Sequence, residues 1–472
     1  MRNNFLKRTL PVACLAAAAV WAQNDDDVRA LPLSMTTQVD AGQVVKGDWN
    51  GGNIDDQFIQ RTSVWLTQEI QIGKRLDVRA GVGGLFWYAV PTPGAGITEA
   101  GRFAQLPKFG PGITRADMVY RFSDEPNPMF TLQAGFFPYK YNPDASNLGE
   151  YLLRSGAYPG NTSTGGWNLM GNAYMMQGLR LNVSLWGGKF QSEFLLPMER
   201  DLPPNNDLSP TYIGTVMPIR GLEFGGGVSC HHCISVRPSR TSPEVGPNRD
   251  FSTYGFGSGY VRRNPGYNPA LATTAYNGTN PKYVFDSTSF YSFQGIKLMA
   301  RTSFDPKAYI TLPMLGSEDL KIFAEVALLG LENRPFYYEK RSERMPVMFG
   351  INLPTFRALD LLSFQMEYYG SRFPNSLENA VTFQMPTLSF QDSNGIVIYD
   401  PNFYDPNNKA LKDDDWKWSV VAKKQIIKGL NLYAVAANDN MRLPFWTATP
   451  SWQPVTNKPK DWYYLVRFEL GI

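Results

Sequence analysis

In the stretch Asp461-Trp-Tyr-Tyr-Leu-Val-Arg-Phe-Glu-Leu-Gly-Ile472, apolar and polar side chains divide by parity. Successive residues of a β-strand point to opposite faces, so Trp462, Tyr464, Val466, Phe468, Leu470 and Ile472 share one side. Tyr463, Leu465, Arg467 and Glu469 share the other. An apolar face with aromatics at one end, backed by charge, suits a strand with hydrocarbon on one side and water on the other. One such segment would also fit a soluble sandwich. The pattern recurs along the whole chain, and that recurrence points to a membrane-spanning β-barrel.

Val64, Leu66, Ile70 and Ile72 oppose Ser63, Trp65, Thr67, Glu69 and Gln71, and Gly73-Lys74 turns the chain. Leu76, Val78, Ala80 and Val82 then alternate with Arg75, Asp77 and Arg79. Around a turn at Asp124–Pro128, Met118, Tyr120 and Phe122 oppose Arg115, Asp117 and Arg121. A turn at Gly178-Leu179 is expected to open a strand reaching 197, with a β-bulge at Gly187-Gly188 where the alternation changes phase. Short turns are also expected at Arg220–Leu222, Phe356–Ala358 and Lys428–Leu430.

About sixteen strands result, with a range of about 14 to 18. They lie near 33–45, 57–71, 74–90, 112–122, 128–138, 166–177, 179–197, 209–218, 221–235, 284–303, 318–333, 343–354, 358–370, 415–426, 429–439 and 459–472. The stretch 378–391 has room for a further hairpin. Longer segments at 46–56, 91–111, 139–165, 198–208, 236–283, 334–342, 371–414 and 440–458 alternate with the short turns. The expected fold is an all-β, antiparallel, up-and-down transmembrane barrel with long extracellular loops and short periplasmic turns.

Targeting signals agree with export. Arg2, Lys7 and Arg8 precede an apolar run from Leu10 to Val20 and a small-x-small site before Gln23, so residues 1–22 read as a signal peptide and 23–472 as the barrel. The apolar run is too short to span a bilayer, and no later stretch reaches about 18 uninterrupted apolar residues. Losing those three basic residues takes the formal net charge from +3 to zero, which argues against a nucleic-acid partner.

With its signal peptide, alternating strands, aromatic girdle candidates and apolar C-terminal strand, the chain resembles bacterial outer-membrane β-barrels of the general porin type. The resemblance covers nearly all of 23–472 and implies a location in the bacterial outer membrane, contact with its lipid, and frequent trimers. Porin-like barrels commonly end in phenylalanine, which the barrel-assembly machinery reads; this chain departs from that pattern, ending Phe468-Glu-Leu-Gly-Ile472.

Opposite the apolar positions stand Arg75, Arg79, Arg115, Arg121, Arg180, Lys297, Arg301, Lys321, Lys417, Lys423 and Arg467. Glu69, Asp77, Asp117, Glu193, Glu325, Glu367 and Glu469 share those faces. Ionised groups facing hydrocarbon cost roughly 2–4 kcal/mol each near the midplane, so their placement argues for a wet interior. The functional expectation is a channel for passive diffusion of small hydrophilic solutes, slightly favouring anions. The plainer role for the same charges is pairing that holds the wall together. Glu150 and Arg154, on a short helical stretch after a strand, are candidates for a constriction loop, against the alternative of an ordinary loop at the rim.

Cys230-His-His-Cys233 contains both histidines of the chain. Four such ligands suit zinc by type, but four consecutive residues wrap one tetrahedral ion poorly, and an oxidising environment favours a Cys230–Cys233 disulfide. Asp413–Asp415 offers a calcium reading or a solvated acidic run, and Tyr254, Tyr260, Tyr267 and Tyr276 offer sugar stacking or loop packing. No nucleophile elbow, P-loop or dinucleotide fingerprint occurs, so neither an enzyme nor a cofactor is expected. The alternative function is a surface-exposed binding protein, an adhesin or glycan-contacting barrel working through its long aromatic loops.

Overall fold

A computed structural model describes residues 28–49, 52–89, 108–158, 160, 162, 174–200, 206–234, 260–263, 268, 270, 283–286, 294–310, 312–333, 340–371, 389–391, 397–399, 415–438 and 460–472. The signal peptide, Asp413-Asp414, Tyr254, Tyr267 and Tyr276 lie outside the described residues. The alternating segments form strands β1 (Ser34–Lys46), β2 (Phe58–Ile72), β3 (Leu76–Ala89), β4 (Lys108–Arg121) and β5 (Phe130–Tyr139). There follow β6 (Tyr174–Leu185), β7 (Phe190–Pro197), β8 (Thr211–Ile219), β9 (Leu222–His231), β10 (Gly295–Phe304) and β11 (Ile322–Leu329). The ring is completed by β12 (Val347–Asn352), β13 (Leu361–Tyr368), β14 (Trp416–Ile427), β15 (Leu430–Ala437) and β16 (Trp462–Gly471).

Each strand pairs antiparallel with its sequence neighbours, and β16 returns to β1 through pairs such as Asp40 with Arg467 and Ala41 with Val466. Closure leaves no strand of the ring at an open edge, so each of the sixteen staves has a ladder partner on both sides. Val28–Ala30 adds a short segment beside Ile70–Ile72, next to the start of β1. Among the described residues, three two-stranded sheets lie outside the ring. One of them pairs Ser389–Gln391, at the end of the 378–391 stretch, with Val397–Tyr399 as a sheet separate from the ring; the rest of that stretch lies outside the described residues.

The strand count agrees with expectation, but one hairpin is placed differently. β6 runs straight through Gly178, which pairs with Gly135 on one side and Pro197 on the other. The turn instead falls at Trp186–Gly188, where Gly187 and Gly188 adopt φ of 64° and 87°. The expected turn and the expected bulge have therefore exchanged roles. A glycine signals either a turn or a close approach of backbones, and local sequence does not separate the two. A Cβ on residue 178 would sit 2.2 Å from the Leu196 carbonyl oxygen.

Side chains divide as the alternation requires. Val39, Leu66, Met118, Leu179, Phe194, Phe224, Leu298, Val347, Met366 and Phe468 are exposed on the outside of the ring. Outward aromatics cluster at both ends. Near the short turns, Tyr120 meets Phe122 and Trp186 meets Phe190, at 5.2 and 5.6 Å between ring centres. Near the long loops, Phe194 meets Tyr212 and Tyr368 meets Trp416, at 4.9 and 4.7 Å. Amphipathic rings at both rims of an apolar band are what two hydrocarbon–water boundaries would select.

Candidate functional site

Charged residues line the inside of the ring, and most stand in pairs. Asp40 on β1 lies between Arg61 and Arg467, the latter reaching it with Nε at 2.6 Å and Nη2 at 2.9 Å. Arg79 bridges Glu69 at 3.1 Å and lies 3.7 and 3.8 Å from Asp77 and Asp117. Asp117 also takes Arg115 at 2.5 Å and a hydrogen bond from Gln133 at 2.8 Å, while Arg121 closes on Asp77. Farther round, Arg180 pairs with Glu193 and stacks over Tyr139, and Arg301 meets Glu223 at 2.6 Å. Glu469 accepts from Gln38 Nε2 at 2.6 Å. Such opposed positions place unlike charges directly across or diagonal to each other on one face of the sheet.

Two of the residues expected to line the pore sit at its ends. Arg75 belongs to the turn before β3 and pairs with Asp124 of the next turn at 2.6 Å, both substantially exposed. That hydrogen bond from Arg75 holds the Asp124 carboxyl below its usual range. Lys321 precedes β11 and bridges Glu318 at 2.8 Å, with Asp144 at 3.6 Å. A parity pattern continues past the last ladder bond into the turn, so it does not mark the end of a strand.

The segment from Lys140 folds into the ring and bonds to the far wall. Glu325 on β11 accepts from Tyr141 Oη at 2.7 Å, Tyr151 N at 3.0 Å and Asn142 Nδ2 at 2.7 Å. On β13, Gln365 Oε1 accepts from the backbone N–H groups of Asn147 and Leu148 at 2.9 and 3.1 Å. Glu367 accepts from Tyr151 Oη at 2.7 Å. Lys297 on β10 donates to the carbonyls of Leu152 and Ser155, and Lys417 on β14 donates to Thr162 at 3.2 Å. The segment leaves β5, and β13 stands eight staves away in either direction round the ring of sixteen. It therefore crosses the lumen.

Glu150 and Arg154 lie within this crossing, buried and paired at 3.2 Å. Glu150 Oε1 also accepts from the N–H groups of Tyr141 and Asn142 at 3.0 and 3.3 Å. Burial pushes the Glu150 carboxyl above its usual range, opposed by Arg154 and Lys140. The pair closes the segment on itself, while the side-chain bonds to Glu325 and Glu367 at 2.7 Å come from Tyr141, Asn142 and Tyr151. Those three carried no sequence signal beyond being polar residues in a loop.

Between the segment and β6–β9 lies a cavity of about 320 Å³, lined among others by Lys140, Arg180, Lys189, Glu193, Glu223 and Arg301. Apolar packing also occurs inside the ring. Ile54, from the loop after β1, packs fully buried with Val44, Ile59, Val421, Val435, Tyr463 and Leu465 on the inward faces of neighbouring strands. The inward face is thus polar over most of its height and apolar near the long-loop end of this sector.

Cys230 and Cys233 form a disulfide, so their sulfurs are not thiolates. His231 and His232 are brought beside Glu199 instead.

No protein-family model matches the chain, and no curated protein matches it. Solved structures similar to it include two porins. One is Salmonella typhi OmpF in complex with daunomycin, 9% identical, covering 95% of this chain and 98% of that one, with a TM-score of 0.42. The other is a mutant of the Rh. blastica porin, 6% identical, covering 94% of this chain and 100% of that one, also with a TM-score of 0.42. The closed barrel described above stands on this chain's own strand pairing.

Proposed function

We propose that the protein is an outer-membrane channel for small hydrophilic solutes, narrowed where the segment 140–162 crosses the lumen. The crossing to the opposite wall carries this reading, because it leaves solute only the space beside the segment. A charged interior inside an apolar outer face supports water within and lipid without. Along the cavity beside the segment, Lys140 and Lys189 add positive charge to the Arg180–Glu193 and Arg301–Glu223 pairs, which supports a weak preference for anions. The barrel-assembly machinery and surrounding lipid are the partners this reading requires, and a trimer of barrels is compatible with it.

Purified protein in planar bilayers under a potassium chloride gradient tests the proposal. Stepwise openings are expected, with a reversal potential on the anion-selective side. Lys140→Glu combined with Lys189→Glu should move that potential toward cation selectivity. A folded barrel that inserts and passes no current refutes the channel, and an unmoved potential in the double variant refutes the anion path.

A further inference from the structure

At the long-loop end of the barrel, Glu199, His231 and His232 stand together, all buried, with one donor atom from each inside 4.8 Å of the other two. We infer that these residues form a binding site for a divalent transition metal of the zinc type, clipping the β7–β8 loop to the end of β9. Two imidazoles and a carboxylate are a donor set that such ions favour.

Adjacent strand residues point to opposite faces, so two neighbouring histidines should not share a site. Here they do, and the backbone shows how. His231 ends β9 facing inward, and His232 takes φ of 55°, a left-handed conformation uncommon outside glycine, asparagine, aspartate and histidine. That turn swings the second imidazole to the side of the first, with ring centres 4.2 Å apart. The Cys230–Cys233 disulfide closes the same turn, and Ser209 Oγ accepts from the His232 N–H at 2.9 Å.

The carboxylate comes from the other side. Glu199 follows β7, and its loop folds back through Asn206 N to Glu199 O at 2.7 Å and Glu199 N to Asp207 O at 2.8 Å. Leu208 and Ile234 then exchange backbone bonds at 2.8 and 3.1 Å, fixing this loop to the histidine turn. Asp207 lies 3.5 Å from His232 Nδ1 and adds a second carboxylate beside the histidines. With donors inside 4.8 Å of one another, metal–ligand bonds of about 2.0–2.2 Å need them to draw in by no more than about 1 Å.

The test uses the full barrel in detergent, freed of metal by a chelator and titrated with zinc chloride alone. One zinc per chain is expected. Its X-ray absorption spectrum should show nitrogen and oxygen neighbours and no sulfur. His231→Ala with His232→Ala should weaken binding by at least about 100-fold, and Glu199→Gln by about 10-fold. Cys230→Ser with Cys233→Ser should also weaken it about 10-fold, because the turn is no longer held. Heat-modifiable gel mobility reports that each variant is folded. A sulfur shell, no zinc bound by folded wild type, or unchanged affinity in the folded histidine variant overturns the inference, and the absorption measurement decides it even where a variant does not fold.

Discussion

Replacing Glu325 by alanine should release the segment that crosses the lumen. The carboxylate is 1% exposed and accepts three hydrogen bonds from that segment, at 2.7, 2.7 and 3.0 Å. Hydrogen bonds to a charged group contribute about 1.5–3 kcal/mol each, giving a gross loss of about 4–9 kcal/mol. Part of this returns, because the mutant no longer buries a charge and the freed donors find water. A net shift of about 3 kcal/mol toward the released segment is a conservative figure, and it raises the released population on the order of 100-fold. The bonds from Gln365 and Glu367 remain, so release should be frequent and reversible instead of permanent. Single-channel recording should show more flicker and excursions to a larger conductance, with the barrel's gel mobility unchanged. Tyr141→Phe, which removes the 2.7 Å bond to Glu325 and the 3.1 Å bond that the hydroxyl accepts from Leu152 N, should give a smaller effect in the same direction. A folded Glu325→Ala barrel with wild-type conductance and wild-type noise would refute the view that this segment is held by the far wall.

Asp40→Asn should destabilise the barrel by about 3–5 kcal/mol in urea unfolding, since it leaves the buried Arg61 and Arg467 facing each other without their shared carboxylate; a change below about 1 kcal/mol would contradict this. Gly178→Val should prevent normal folding by driving β6 away from the Leu196 carbonyl, whereas Gly187→Ala, with nothing within 4 Å of its added carbon, should cost only about 1 kcal/mol for its positive φ; the reverse ranking would return the turn to Gly178. Val466→Arg, on the outer face of β16, should lower the yield of refolding into lipid vesicles through a cost of about 2–4 kcal/mol, and unimpaired refolding would speak against hydrocarbon there.

The faces of the strands were legible in the sequence because parity is a local property. Trp462 through Gly471 can be divided into outward and inward residues without knowing what they pair with, and the structure divides them the same way. Strand number followed from counting such segments. The turn at Trp186–Gly188 was misplaced for a reason equally physical: Gly178 and Gly187 look alike in sequence, and only the positions of β5 and β7 show which of them must admit a neighbouring backbone. Within the crossing segment, the i,i+4 spacing made the Glu150–Arg154 pair visible, although 147–154 forms a turn with Glu150 at φ of 62° instead of the expected short helix. Its attachment to Glu325 and Glu367 spans sequence separations of 184 and 216 residues, beyond any local pattern. Glu199 likewise joins the histidines only because Leu208 and Ile234 pair across the rim.

By itself, the chain's order of residues determined a closed, two-faced sheet: alternation assigns each side chain to one of two environments, and the even series of short turns and long loops orders the staves. Tertiary structure alone decided what fills the ring. Whether a polar loop stays outside or crosses to the far wall depends on buried acceptors that become its neighbours only after closure. The same closure brought a carboxylate to two histidines that a regular strand would have held apart.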